Sequence, residues 1–526
     1  MFGAGNTHKK FVLPESLNFQ QLQREISRNH AVRRETVSDA AYSLFDTFDW
    51  RLYRMQQALI REGDRIGLAD LELTHPSAQA EWTKPRPPRF WWDLPESDMR
   101  HRLQAVLDVR ALLPLMSVTR QKRGLWILNQ DQKTVLKLYF CTYVAKAVSG
   151  SQHTARRIEL QPVLGYRREL EEFKRQLAGM DIAVDRESVS VELMRQMGLT
   201  PGRYSSKFLL PLDPELPSGE ALRRILGHLI DVMILNQAGV KADTDTEFLH
   251  DYRVAIRRIR SALGQIKGIF PQDETLRFRE AFARLGQTTN TLRDLDVYLL
   301  RKEQYRALLP EHLAPGLDAL FEDLAAERKN KHRAVARSLN RETYKATVAQ
   351  WREFLKSPAE AGDEEAPNAQ RPVLQLACQF IFKRYQQIIR SGRKIGDDTP
   401  DDELHRLRIS CKKLRYLLEF FASLFPEEDM AHLVGQLKKL QDNLGDFNDL
   451  FVQQQYLEDH LNNLVGNEGK IRQAAAAVGG LITSLNQKQK SVRQNFEKRF
   501  RVFSSPQNHA LFVRLFKTGP SGGKGR

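Results

Sequence analysis

Cysteine is scarce in this chain: Cys141, Cys378 and Cys411 are the three in 526 residues, and no two form a CxxC pair. An odd, sparse set excludes a disulfide framework. No uninterrupted apolar run is long enough to cross a bilayer. The opening stretch, MFGAGNTHKKFVLPES, has no apolar segment of signal-peptide length. These absences lead us to expect a reducing cytoplasm and no membrane partner. Acidic charge is also in deficit, with 65 Asp and Glu against 81 Lys and Arg, a net charge of +16 and a pI near 9.6. That balance calls for an anionic partner: nucleic acid, an acidic lipid surface or a phosphate polymer. The length exceeds what one core organises, so two or three domains are expected.

Residues 1–205 are mixed in character. Thr134–Phe140 and Ser188–Glu192 have the composition of strands. A loop rich in proline and aromatics runs from Trp82 to Pro95, and Gly165–Leu177 is charged and helix-like. The fold class expected for the whole chain is multidomain: an α+β region, then an all-α region of two related bundles. Residues 206–217, with Pro211, Pro214 and Pro217, read as a linker. From 218 to 512 helical spacing takes over. The acidic stretch Ser357–Pro372 divides this part into halves at about 218–356 and 372–512. Residues 513–526 form a tail expected to be disordered at its end.

What the chain does have is one pattern written twice. His250-Asp-Tyr-Arg253-Val-Ala-Ile-Arg257-Arg258-Ile-Arg260 returns as His405-Arg-Leu-Arg408-Ile-Ser-Cys-Lys412-Lys413-Leu-Arg415. Counted from each histidine, cations fall at +3, +7, +8 and +10. Apolar residues fall at +2, +9, +13, +16 and +20, and a proline at +21. A second pair of segments, Leu285–Asp296 and Leu437–Asn448, repeats at a separation of 152 residues against 155 at the histidines. A tandem duplication of this kind folds as two similar bundles about a pseudo-twofold axis.

At about 100° per residue, offsets 0, +3, +7 and +10 share an arc of roughly 80°, with +8 on its flank and the apolar offsets opposite. A basic stripe in a single copy is ordinarily a solvated face. Like charges three or four residues apart repel, so repeating the arrangement points to a compensating anion. Arginine holds two phosphate oxygens in a planar fork, lysine supplies a point charge, and a histidine adds a hydrogen-bond donor. Converging stripes would make a groove whose affinity falls steeply with salt. Neither histidine has a His, Cys or acidic partner at +4, so no metal site is expected there. Asp294 and Asp296, matched by Asp446 and Asn448, are expected to orient arginines or cap a helix. This region has no glycine-rich phosphate loop and no nucleophile–base pair.

The two His-x-x-Arg-x-x-x-basic-basic-x-Arg helices and the Leu285–Asp296 segment resemble the CHAD domain, the conserved-histidine α-helical domain, over roughly 218–512. The resemblance implies two four-helix bundles and a basic surface that binds inorganic polyphosphate, including at polyphosphate granules. Carried over by position, the contacts are His250, Arg253, Arg257, Arg258, Arg260, His405, Arg408, Lys412, Lys413 and Arg415. Lys412 and Lys413 keep the charge but lose the fork.

The N-terminal half resembles a divergent CYTH domain, the triphosphate-tunnel fold. The resemblance lies in Phe45–Tyr53, with Arg61 as a residual anion contact, in Trp92–Glu96 and in Arg157–Gln161. Active members of that family open on Glu-x-Glu-x-Lys, whose carboxylates hold a divalent cation. Here the opening reads His8-Lys9-Lys10-Phe11-Val12-Leu13, and the later pair is Glu159-x-Gln161. The expectation is therefore a polyphosphate-binding protein with no catalytic residues, no metal and no cofactor. The rivals are a nucleic-acid-binding module, disfavoured because the stripe has few aromatics for stacking on bases, and a metal-dependent triphosphate hydrolase in the N-terminal domain. Oligomeric state is not legible.

Overall fold

The structure is a computed structural model describing residues 9–14, 17–36, 39–73, 78–206, 208, 210–357, 365–396, 398–462 and 468–517. His8, residues 358–364 of the acidic stretch and the tail 518–526 lie outside the described residues. The chain divides into two compact units, Met1–Ser205 and Ser206–Arg526.

The first unit is an antiparallel sheet of ten strands. They are β1 (Lys9–Val12), β2 (Ala31–Thr36), β3 (Ala40–Asp46), β4 (Gln57–Glu62) and β5 (Arg65–Asp70), followed by β6 (Ala78–Glu81), β7 (Leu113–Leu128), β8 (Thr134–Ala147), β9 (Gln152–Pro162) and β10 (Ala183–Val184). Their order is β10-β1-β9-β8-β7-β3-β4-β5-β6, with β2 also on β7. Gly63, at φ +55°, supplies the left-handed residue of the two-residue β4–β5 turn.

Four helices cover the sheet: α1 (Phe19–Ser27), α2 (Asp98–Leu107), α3 (Arg167–Gly179) and α4 (Val189–Gln196). Side chains alternate between faces along a strand. Leu59, Ile66 and Leu68 therefore meet Met99, Leu103 and Leu107 of α2, while Tyr42, Leu44 and Ile60 meet Val189, Leu193 and Met194 of α4. The segment read as a strand, Ser188–Glu192, is the start of α4. Its Ser-Val alternation imitates a strand, but Val189 and Leu193 share one helical face, and burying that face against the sheet overrides the local propensity.

The second unit is all helix. The first half holds α5 (Ser218–Ala242), α6 (Thr246–Gln265), α7 (Gln272–Thr288), α8 (Asn290–Leu300), α9 (Lys302–Arg306), α10 (Asp318–Ser338) and α11 (Glu342–Lys356). The second holds α12 (Val373–Gly392), α13 (Asp401–Phe420), α14 (Glu427–Asn462), α15 (Glu468–Gln494), α16 (Phe496–Phe503) and α17 (Pro506–Phe516). The duplicated prolines open the next helix in each half, Pro271 before α7 and Pro426 before α14. All ten repeated apolar residues are buried, from Tyr252 to Phe270 and from Leu407 to Phe425. Cys411, where the first copy has Ile256, is fully buried as a core residue. Residues 206–217 belong to this unit: Leu216 and Pro214 accept the amides of Val373 and Leu374. The halves share a core in which Leu317, Leu320 and Leu324 pack on Val478, Leu481 and Leu485. No helix among the described residues is long and apolar enough to cross a membrane.

Candidate anion-binding site

α6 starts under the cap of Asp245, whose carboxylate accepts the amides of Glu247 and Phe248. Its apolar stripe goes into the core, so its cationic stripe faces away from it. α13 lies beside it. Gln265 Nε2 donates to the Lys413 carbonyl at 3.1 Å, and Arg258 Nη2 donates to Glu419 at 2.7 Å.

Arg257, exposed, makes no hydrogen bond or ion pair among the described residues. Its charge reaches Arg253 on its own helix and both Arg408 and Lys412 on the other. The Lys412 ammonium is pushed down to about 8, by burial first and then by Arg408 and Arg257, with Asp449 opposing. It too has no hydrogen bond or ion pair among the described residues. Arg408 is held below its ordinary value by burial, with Arg257 adding and Asp449 opposing. It donates to Asp449 at 3.2 Å, and its Nε is buried without a partner. Arg253 is pushed down to about 10 by burial and then by Arg257. The guanidinium groups stay charged at neutral pH, so these shifts reflect burial first and then the crowding of like charges. An anion placed among them relieves desolvation and repulsion together.

A break in the first half positions Arg253. α7 gives way to α8 at Thr289, where the second half runs through α14 without interruption. The Gly286 carbonyl there accepts from Arg253 Nη1 at 3.1 Å, and Thr289 Oγ1 accepts from the same nitrogen at 2.7 Å. Arg260, exposed, lies over Gly286, where an added Cβ would stand 3.9 Å from its Nη1.

Three other cations of the predicted set face elsewhere. Arg258, buried, is spent on Glu419 and on the Ser206 carbonyl at 2.9 Å. Arg415 donates to the same Glu419 at 2.7 Å. Burial works against its charge, but Glu419 prevails and its pKa rises. Lys413 lies near Arg384 and Arg279, whose charges, after burial, hold its ammonium below its ordinary value. Offset +8 is a flank position, and in both copies the flank leaves the stripe.

The histidines have local partners. His405 Nδ1 is hydrogen-bonded to Asn448 Oδ1. The donor atoms of His250, Glu247 and Asp251 lie within 4.8 Å of one another. Offset +4 gives no sign of this gathering, because Glu247 stands at −3. Asp296, expected to orient a stripe arginine or cap a helix, lies within α8 and takes Arg328 Nε at 2.7 Å, while Arg328 also grips Asp243. Asp294 lies near Arg253 and Arg293; burial raises its pKa and the two arginines pull it back. Asp446 lies near Arg301; burial, Asp449 and Asp442 raise its pKa. The repeat concealed Asp449, because its counterpart 152 residues earlier is Val297. It concealed Arg293 likewise, since the match there is Gly445.

In the N-terminal unit Arg61 lies near the end of β4. It donates to the carbonyls of Gly63 at 3.1 Å and Pro85 at 3.3 Å, on the face of β4 shared with Leu59. The arginine on the opposite face, with Tyr42 and Tyr143, is Arg120. Glu159, on that face, accepts from Lys122 at 3.1 Å. Asp46 ties a loop, accepting the amides of Thr47, Leu52 and Tyr53 at 2.6, 2.9 and 2.8 Å. Burial pushes its pKa up to about 6 against those three bonds.

With this geometry in place, the family comparison falls on the same helices: the CHAD domain model matches residues 224–458. That stretch is a CHAD domain. The match takes in both basic helices and α14 up to Glu458. Two uncharacterized proteins of Mycobacterium tuberculosis, MT2285 and Rv2226, are each 25% identical over 301 residues, 54% of this chain and 50% of theirs. The chain thus spans about half the length of the curated relatives it matches. Among solved structures, that of the CHAD domain from the plant Ricinus communis is similar at 24% identity and a TM-score of 0.48, covering 57% of this chain and 96% of that one. PptA from Streptomyces chartreusis is similar at 16% identity and a TM-score of 0.41, covering 54% and 99%. The β-rich N-terminal unit is consistent with the CYTH resemblance.

Proposed function

We propose that the CHAD domain binds inorganic polyphosphate, or a similar linear polyanion, without turning it over. The observation that carries this reading is the meeting of Arg257 and Lys412, one from each half, close together and with no ion pair of their own among the described residues; the acid that acts on Lys412, Asp449, is paired with Arg408. Arg253, Arg260 and Arg408 flank them. A flexible chain with about one charge per unit suits such a row, and release of its counterions drives binding. The protein acts in the cytoplasm, at polyphosphate granules, a placement in keeping with its three free cysteines. The N-terminal unit serves as scaffold rather than as a hydrolase. In support, β1 carries no carboxylate, Glu159 is committed to Lys122, and α4 packs with apolar residues on the face that bears Glu159.

Competition is the test. Long-chain polyphosphate is expected to resist displacement by DNA or RNA at equal phosphate concentration. Arg257→Glu with Lys412→Glu is expected to weaken binding about 100-fold and lower the slope of log K against log salt by about 0.7 for each phosphate no longer neutralised, with helix content unchanged. Displacement by nucleic acid, or unchanged affinity in the double variant, overturns the reading.

A further inference from the structure

One helical turn beyond Arg260, α6 reaches Gly264. A Cβ there would stand 3.7 Å from Nε of Arg279 on α7. The next residue, Gln265, donates to the carbonyl of Lys413 on α13. Arg384 of α12 and Arg279 are the two charges that, after burial, press the Lys413 ammonium below its ordinary value. Three helices therefore bring three cations together. Arg279 and Lys413 make no side-chain hydrogen bond or ion pair among the described residues. Arg384 donates to Gln387 at 2.8 Å, and its Nε is buried without a partner.

Among the described residues no acid answers them. On α7, Glu274 is paired with Arg277 at 2.7 Å and Glu280 with Arg284 at 4.0 Å. Glu419 of α13 is shared by Arg258 and Arg415. α12 carries no Asp or Glu at all. Half-buried cations without a countercharge are costly to hold together unless an anion joins them.

We infer that Arg279, Arg384 and Lys413 form a second anion site, which takes a further stretch of the same phosphate chain that lies across Arg257 and Lys412. The inference rests on the polyanion reading. Arg257, Arg260 and the Arg279 side chain over Gly264 follow each other at about one helical turn, or roughly 5 Å, per step. The site is one-sided, because the counterpart of Lys413 is Arg258, which Glu419 neutralises. A short oligomer fills one site. A long chain engages both, and the second engagement becomes intramolecular once the first is made.

The experiment compares two probes, tripolyphosphate and a polyphosphate of about a hundred units, by calorimetric titration across a salt series. The proteins are the full chain, the variant Arg279→Gln/Arg384→Gln/Lys413→Gln, and Arg257→Glu/Lys412→Glu, with circular dichroism and thermal melting confirming that each is folded. The triple variant is expected to lose about tenfold in long-chain affinity and about 2 in salt slope, at about 0.7 per phosphate neutralised, while tripolyphosphate binding stays within twofold. Unchanged long-chain binding overturns the second site, and so does an equal loss for both probes. Should the full chain bind neither probe, or the Arg257/Lys412 variant bind as well as the full chain, it is the polyanion reading itself that fails. If the triple variant does not fold, Lys413→Gln alone is read against the same two probes, with a loss confined to the long chain expected and no selective loss overturning the proposal.

Discussion

In the first half of the helical unit, Arg253 gives its donors to two neutral oxygens, the Gly286 carbonyl and Thr289 Oγ1. In the second, its counterpart Arg408 meets a carboxylate, Asp449. Arg258 is buried in an ion pair, whereas its counterpart Lys413 stands among other cations. Asp296 binds Arg328, whereas Asn448 binds His405. The duplication preserved where the positive charges lie along the helices and let their partners diverge. An offset in a repeat therefore says where a charge sits on its helix, and the charge's usefulness to a ligand depends on what the neighbouring helices oppose to it.

The sharpest way to break the comparison is at Glu419, an acid that holds a cation from each copy. Glu419→Ala leaves Arg258 buried without its partner and is expected to cost about 3 kcal/mol of stability, measured by urea unfolding. A loss under about 1 kcal/mol would mean that Arg258 is not structural and belongs with the exposed row.

A second test separates Lys412 from Arg257 by pH. The free protein releases the Lys412 proton near 8, whereas the unfolded chain does so near 10.5. The folded state thus holds fewer protons between these values, and stability contributed by this group rises with pH across that window. A bound polyanion restores the proton, so polyphosphate affinity is expected to fall about tenfold from about pH 7 to about pH 9. Lys412→Arg, which stays charged, should flatten the profile. A profile of the same steepness in that variant would assign the titration elsewhere.

The smallest effect expected is at Asp449. Asp449→Val gives the second half the residue the first half has at Val297. It removes the charge opposing Arg408, and long-chain affinity should rise about two- to threefold at low salt. Weaker binding would show that Asp449 aims Arg408 at the ligand rather than restraining it.

Much of the fold was legible because it is written locally. The offsets +2, +9, +13, +16 and +20 place Tyr252, Ile259, Leu263, Ile266 and Phe270 on one side of a helix, and all five are buried. Cys411 read as core for the same reason and is fully buried. Ser188–Glu192 misled because five residues cannot separate a two-residue period from a helical one, and the sheet that decides the matter is distant in sequence. Arg61 was legible as a basic position, but its bonds to the carbonyls of Gly63 and Pro85, which leave other guanidinium donors over, depend on a turn and on a residue 24 positions away.

By itself, the sequence determined the duplication, the two helices and the side of each on which the cations lie, since a helix of fixed pitch converts spacing directly into direction. Which of those cations keep their charge available was decided by tertiary structure. Arg258 and Glu419 are 161 residues apart, yet their ion pair takes one arginine out of the row. Arg257 and Lys412 are similarly distant along the chain, and the same packing leaves them together with no ion pair of their own among the described residues. Electrostatic partnership depends on distance in space and on burial, and neither quantity is carried by the spacing of residues along the chain.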